Sequence, residues 1–186
     1  MTISFTKLLA DHRHVIDAIE PDTVIRIAGF ITHNLRFGDR VFICGNGGSA
    51  ADAQHFAAEM VGRFKDDSRR PLPVIALTTD TSILTAVAND FGYDLIFVRQ
   101  LMALSRKGDV LIALSTSGRS QSILKAIQYA RDAGLRTVVL SSRKAPELRH
   151  WADELFLADS DDTARIQEAH EFVLHCVCEY VDEAIS

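Results

Sequence analysis

The chain predicts an α/β fold in which a five-stranded parallel β-sheet is flanked by helices, with two extra helices ahead of it. Two observations carry this. Five short apolar runs alternate with longer amphipathic stretches, the rhythm of a parallel sheet covered on both faces. Two glycine- and serine-rich segments, Gly45-Asn46-Gly47-Gly48-Ser49 and Ser115-Thr116-Ser117-Gly118-Arg119-Ser120, each join an apolar run to a helical pattern. At 186 residues, 47% hydrophobic and 24% charged, the chain fits one domain over residues 1–186 with a substantial core. Residues 1–37 would form the N-terminal helices and 38–186 the α/β core.

In chain order, Phe5, Leu8, Leu9, Val15, Ile16 and Ile19 recur at helical spacing. After Pro21 the pattern resumes with Val24, Ile25, Ile27, Ile31 and Leu35, which separates two helices. Past Gly38-Asp39 the candidate strands are Val41 to Cys44, Val74 to Leu77, Val110 to Leu114, Thr137 to Leu140 and Glu154 to Leu157. Between them, Ala50 to Phe64, Ser82 to Ser105 (two helices), Gln121 to Ala133 and Ala145 to Trp151 read as helical. Residues 65–71 form the clearest polar loop, and Thr163 to Ile185 is a long final helix.

A net charge of -5 argues against the electrostatic footprint needed for nucleic acid or an anionic membrane. Met1 to Ala10 lacks the basic start and apolar core of a signal peptide, and no segment approaches a membrane span, so the expected location is cytoplasmic. Cys44, Cys176 and Cys178 have neither disulfide-framework nor zinc-finger spacing. They read as core thiols.

Both glycine/serine segments would place small side chains and free N–H groups at the positive end of a helix, a ready-made anion site. In an open α/β sheet both lie beyond the carboxyl ends of strands, where ligands bind. A phosphorylated ligand fits this pair of loops. Gly45-x-Gly47-x-x-Ala50 also meets the relaxed dinucleotide fingerprint, although its acidic residue is due about twenty positions on and Asp80 stands farther away. His55 and Glu59, four apart, share one helix face and suit either a metal or a solvated contact. Gln167, Glu171 and His175 form a second stripe at intervals of four, with His170 elsewhere on that helix. Spacing alone does not join His175 to Glu59.

Taken together, Cys44 to Glu59, Ala76 to Ser82, Asn89-Asp90-Phe91-Gly92, Ser115 to Ser120 and Arg165-Ile166-Gln167-Glu168 resemble sedoheptulose-7-phosphate isomerases, the phosphoheptose isomerase branch of the sugar isomerase (SIS) superfamily. The resemblance runs from about residue 38 onward. It implies a flavodoxin-like SIS fold, a homotetramer with active sites at subunit interfaces, and conversion of sedoheptulose 7-phosphate to D-glycero-D-manno-heptose 7-phosphate. That reaction opens the route to ADP- or GDP-heptose for lipopolysaccharide core or surface glycan. The resemblance further implies that Ser115, Thr116, Ser117 and Ser120 hold the phosphate, and that Asn46, Gly47, Gly48, Ser49, Asn89 and Asp90 line the sugar site. One zinc per subunit would be held by His55, Glu59, Gln167 and His175, with Gln167 and Glu59 also on the substrate. Glu59 and His175 are its proton-transfer pair, Glu59 as base and His175 as acid.

Two departures stand out. Ser141-Ser142-Arg143-Lys144-Ala145-Pro146 occupies a segment where relatives often carry a Thr-Gly and Asp-Gly-Gly pattern, and Arg119 replaces a common asparagine. The alternative function is a non-catalytic tetrameric SIS protein that binds the replication initiator, whose first glycine loop is similar. That branch departs from the isomerase pattern at the glutamate and the second histidine, whereas this chain has Glu59 and His175. A regulator would need a helix-turn-helix domain, for which the residues before the first strand are too few and too weakly basic. An arabinose-5-phosphate isomerase would carry a C-terminal regulatory tandem that is missing from this sequence.

Overall fold

The structure, a computed structural model, describes residues 4–185. Helices α1 (Phe5–Asp17) and α2 (Pro21–Arg36) precede a sheet of β1 (Val41–Cys44), β2 (Val74–Ala76), β3 (Val110–Leu114), β4 (Arg136–Ser142) and β5 (Glu154–Ala158). The sheet order is β2-β1-β3-β4-β5 with every neighbouring pair parallel. The remaining helices are α3 (Gly48–Val61), α4 (Thr81–Phe91), α5 (Ile96–Leu104), α6 (Gln121–Asp132) and α7 (Thr163–Ile185). The order reverses between β1 and β3, so a crevice opens there at the carboxyl ends of the strands. The two glycine/serine loops leave those two strands.

Alternation along the strands splits the interior into two layers. Val41, Ile43, Val110, Ile112, Val138 and Leu140 face α2, α3 and α7, with Phe56, Val173 and Val177 among the buried partners. Phe42, Cys44, Leu111, Ala113 and Val139 face α5 and α6, against Phe97, Leu101, Ile123 and Ile127. Because both faces are covered, β1 and β3 are apolar at every position. Cys44 and Cys178 are buried, Cys176 is half-buried, and all three are free thiols.

The N-terminal helices are built locally and docked through α7. Ser4 caps α1 by accepting the Lys7 N–H at 3.3 Å, and Pro21 sits at the start of α2, where its missing N–H costs nothing. Arg165 donates to the Leu8 carbonyl at 2.9 Å, and His12 Nδ1 lies 2.8 Å from Glu168. Each ties α1 to α7.

One expected helix is corrected. The segment Ala145 to Trp151 forms only a 3₁₀ turn, Pro146–His150. Five residues opened by a proline are too few to nucleate and propagate an α-helix. Other differences are shifts of ends. Strand β4 runs two residues past Leu140 to include Ser141 and Ser142, and α3 starts at Gly48, ahead of Ala50.

Candidate active site

The first loop turns so sharply that a Cβ on Gly45 would meet the Ser49 carbonyl oxygen at 2.5 Å. Gly47 occupies φ +59°, ψ −121°, a backbone state that favours glycine. No side chain caps α3, which leaves its leading N–H groups available to an anion. In the second loop, Gly118 stands at φ +65°, and a Cβ there would collide with that of Ala145. Helix α6 likewise begins without a side-chain cap.

The loops meet. Asn46 Nδ2 donates to Ser120 Oγ at 2.8 Å and to Ser122 Oγ at 3.0 Å. Tyr93 donates its hydroxyl to Asn46 Oδ1 at 2.8 Å. Ser115 is buried and its Oγ accepts the Gly118 N–H at 3.1 Å, while Ser117 Oγ accepts the Arg119 N–H at 3.2 Å. From behind, Ser141 Oγ donates to the Ser115 carbonyl at 2.7 Å and Ser142 Oγ to the Thr116 carbonyl at 2.8 Å. The divergent 141–146 segment thus braces the second loop. Arg143 and Lys144 bond across to Asp159 and Asp161, and Arg119 faces solvent.

Helices α3 and α7 bring together the two stripes that spacing could not join. His55 Nε2 and His175 Nε2 stand 3.0 Å apart. Glu59 Oε1 is 3.1 Å from His55 Nε2 and 3.7 Å from His175 Nε2. Glu171 Oε1 is 3.3 Å from the former and 3.4 Å from the latter. One ligand atom from each of His55, Glu171 and His175 falls within 4.8 Å of the others. Such convergent imidazole and carboxylate atoms are a donor set suited to zinc. Phe64 stacks on the His175 ring at 5.7 Å between centroids.

Gln167 lies two turns before His175 on α7, where its amide covers the Cα of Gly48 so closely that a Cβ there would overlap it. It therefore belongs to the first loop's mouth. Asn89 and Asp90 are exposed on α4 and bond to each other at 2.7 Å, with no hydrogen bond to either loop among the described residues. A cleft of about 600 Å³ beside α7 is lined by His12, Asp52, Gln167, Glu171 and His175 among others.

Burial, reinforced by the Glu171 charge, pushes the Asp52 carboxyl up to about 6. Burial also raises Glu171, against the pull of His55 and His175. Glu171 Oε2 and Asp52 Oδ2 are shut from solvent without a hydrogen-bond partner. His170 is fully buried, its imidazole pushed down to about 4 by desolvation. As a neutral ring it donates Nε2–H to the Ser141 carbonyl at 2.9 Å, a core role that also steadies the second loop's brace. Cys178 donates its thiol to Glu59 Oε2 at 3.2 Å. Arg69, 4% exposed, donates to the Glu59 and Met60 carbonyls at the end of α3 and pairs with Asp182 of α7 at 2.6 Å.

A parallel sheet with two uncapped, serine-lined helix starts at its switch point defines a class, the SIS domain, and residues 5–142 match that domain family. Across 178 residues the chain is 47% identical to the phosphoheptose isomerase of Campylobacter concisus, spanning 96% of this chain and 91% of the relative. The fold superposes on the phosphoheptose isomerase GmhA of Neisseria gonorrhoeae with a TM-score of 0.86 at 37% identity, covering 96% and 95% of the two chains. For the Francisella tularensis phosphoheptose isomerase the TM-score is 0.88 at 33% identity, covering 96% and 94%. The chain belongs to the phosphoheptose isomerase family.

Asp52 and Tyr93 join the site without a sequence expectation, whereas Glu171 was expected only on a helix stripe and Cys178 only as a core thiol. Glu171 was visible on the stripe of Gln167 and His175, and Asp52 lies one turn before His55. Tyr93 and Cys178 carry no sequence signal for the contacts they make.

Proposed function

We propose that this protein isomerises sedoheptulose 7-phosphate to D-glycero-D-manno-heptose 7-phosphate through an enediol, supplying the first intermediate for ADP- or GDP-heptose. The observation that carries the reading is the meeting of Glu59 and His175 across α3 and α7, 3.7 Å apart, at the end of the sheet that bears both anion loops. The phosphate sits at the start of α6, held by Ser115, Thr116, Ser117 and Ser120. Ser115 contributes mainly loop shape, since its hydroxyl already serves Gly118. Asn46, Gly47, Gly48, Ser49 and Gln167 hold the sugar. Asn89 and Asp90 reach it from α4 of the same or a neighbouring subunit.

Glu59 removes the proton from C1 of the ketose, the C2 carbonyl oxygen gains a proton, and the enediol forms. His175 returns a proton to C2 as the C1 hydroxyl loses its own and becomes the aldehyde. A positioned carboxylate and imidazole can do this near neutral pH. Zinc at the imidazole cluster, when bound, would polarise the substrate carbonyl. Arg69 fixes the end of α3 that carries Glu59, and the Cys178 thiol orients its carboxylate.

The homotetramer belongs to the same proposal, with residues 1–186 acting as one domain and 1–37 devoted to assembly. Phe5 on α1 is 79% exposed and Phe91 on α4 51% exposed, and α4 buries no residue of its own. Apolar surface of this kind favours a partner subunit. Among the described residues no helix is long and apolar enough to cross a membrane, in keeping with the proposed cytoplasmic setting.

Metal-depleted protein, assayed on sedoheptulose 7-phosphate with and without added zinc, tests the reading. Zinc-dependent aldoheptose phosphate is expected. No conversion by folded, zinc-loaded tetramer would overturn it and favour a protein-binding role.

A further inference from the structure

We infer that Tyr93 is a positioning residue for the phosphate group: its hydroxyl sets which way the Asn46 amide faces, and through Asn46 and Ser122 it aims the Ser120 proton at the anion. The inference deepens the isomerase reading and rests on its placement of the phosphate at the start of α6. Tyr93 opens the 3₁₀ turn Tyr93–Leu95 that follows α4, and the next residue, Asp94, pairs with Lys125 of α6 at 3.2 Å. The turn is thereby held against the helix that the phosphate loop begins. From there the Tyr93 hydroxyl reaches Asn46 Oδ1 at 2.8 Å, while Asn46 Nδ2 reaches Ser120 Oγ at 2.8 Å and Ser122 Oγ at 3.0 Å.

A serine hydroxyl donates or accepts, so two serines accommodate either face of an amide. A phenol discriminates, because its O–H is a stronger donor and a weaker acceptor than that of serine. It favours the amide oxygen, which turns the NH₂ group toward the serines. Both amide protons are then given to Ser120 and Ser122. Ser122 is 1% exposed, and among the described residues its hydroxyl bonds only to Asn46 and to Ser120 Oγ, 3.2 Å away. Having accepted from Asn46, it satisfies its own proton by donating to Ser120. Ser120 Oγ thus accepts twice, which fills its lone pairs and leaves its proton to point outward. The same filling explains why a serine at the N-cap of α6 caps no N–H of that helix. With the amide reversed, the serines would donate inward to Oδ1, and that proton would be lost to the phosphate. Asn46 Oδ1 keeps a second lone pair for a sugar hydroxyl.

Titration with inorganic phosphate and steady-state kinetics on sedoheptulose 7-phosphate, both on the zinc-loaded protein, test this with Tyr93→Phe. The substitution removes one hydroxyl from a side chain that is 57% exposed, so the fold is expected to persist, which thermal unfolding checks. Phosphate affinity is expected to fall and KM to rise by roughly 2- to 12-fold, the net worth of one hydrogen bond. The value of kcat is expected to hold, since the lost contact serves substrate and transition state alike. In a Ser120→Ala background the same substitution is expected to bring no further change, because Tyr93 acts through the Ser120 proton. A general loosening of the loops would instead lower kcat and persist in that background. Unchanged phosphate affinity and KM in Tyr93→Phe, a loss carried by kcat, or an undiminished effect in Ser120→Ala would each overturn the assignment. Should Ser120→Ala bind phosphate too weakly to titrate, the response of Tyr93→Phe alone decides. Phosphate weakened in this pattern without turnover by the unaltered protein would defeat the isomerase reading and leave this one standing. Turnover with no response to Tyr93→Phe would do the reverse.

Discussion

Glu59 is the residue on which the chemistry turns. Glu59→Gln keeps the side chain's size, so kcat is expected to fall by about 100- to 10,000-fold, the usual worth of a general base, with phosphate affinity retained. Steady-state kinetics and phosphate titration measure the two separately. Gly118 is the corresponding residue for shape. At φ +65° with Ala145 against its Cα, Gly118→Ala meets both backbone strain and a clash, and a loss of about 2 kcal/mol or more is expected in urea unfolding. At this scale the sequence was informative where residues act through type and spacing. His55 with Glu59, and Gln167 with His175, could be read as two helix faces. Their meeting could not, because the facing of α3 and α7 depends on how Phe56, Val173 and Val177 pack between them.

Among elements, the join between α3 and α7 governs the site. Arg69 is buried and satisfies the α3 carbonyls of Glu59 and Met60 while pairing with Asp182. Arg69→Ala takes the cationic partner from a buried ion pair and the donor from two α3 carbonyls, and chemical denaturation should show a loss of about 3–5 kcal/mol. Burial works against the Asp182 charge, but hydrogen bonds from the Asp66 N–H, Arg69 and the Lys65 N–H outweigh it and hold the carboxyl below its usual range. With the folded value depressed, the contribution is present above the unfolded pKa of about 3.9 and is lost as pH falls from there through the folded value. Asp182→Asn should therefore flatten the acid limb of a stability–pH curve. The brace from β4 to the second loop is the other join. Ser142→Ala removes the donor to the Thr116 carbonyl, and a cost of about 1 kcal/mol is expected in unfolding, with a raised KM if the loop loosens. Strand periodicity predicted β4 as far as Leu140. Its extension through Ser141 and Ser142 was hidden because serine weakly signals a strand, and the hydroxyls earn their place only against a neighbouring loop.

For the whole molecule, the alternation of runs was enough to predict a five-stranded parallel sheet, since both faces of β1 and β3 are buried and their sequences are continuously apolar. The strand order, and with it the crevice between β1 and β3, is seen only in the fold, because periodicity says nothing of which strands are neighbours. Assembly is the least legible level. An exposed Phe5 or Phe91 looks in sequence like any core aromatic, and only the fold shows how much of each ring is left exposed among the described residues. The central claim is enediol chemistry by Glu59 and His175, and its most direct measurement is conversion of sedoheptulose 7-phosphate in D₂O by the zinc-loaded protein, followed by NMR. Aldoheptose 7-phosphate carrying solvent deuterium at C2, formed by the unaltered protein and not by Glu59→Gln, is the expected result. No aldoheptose phosphate, or an undiminished rate in Glu59→Gln, would contradict the account.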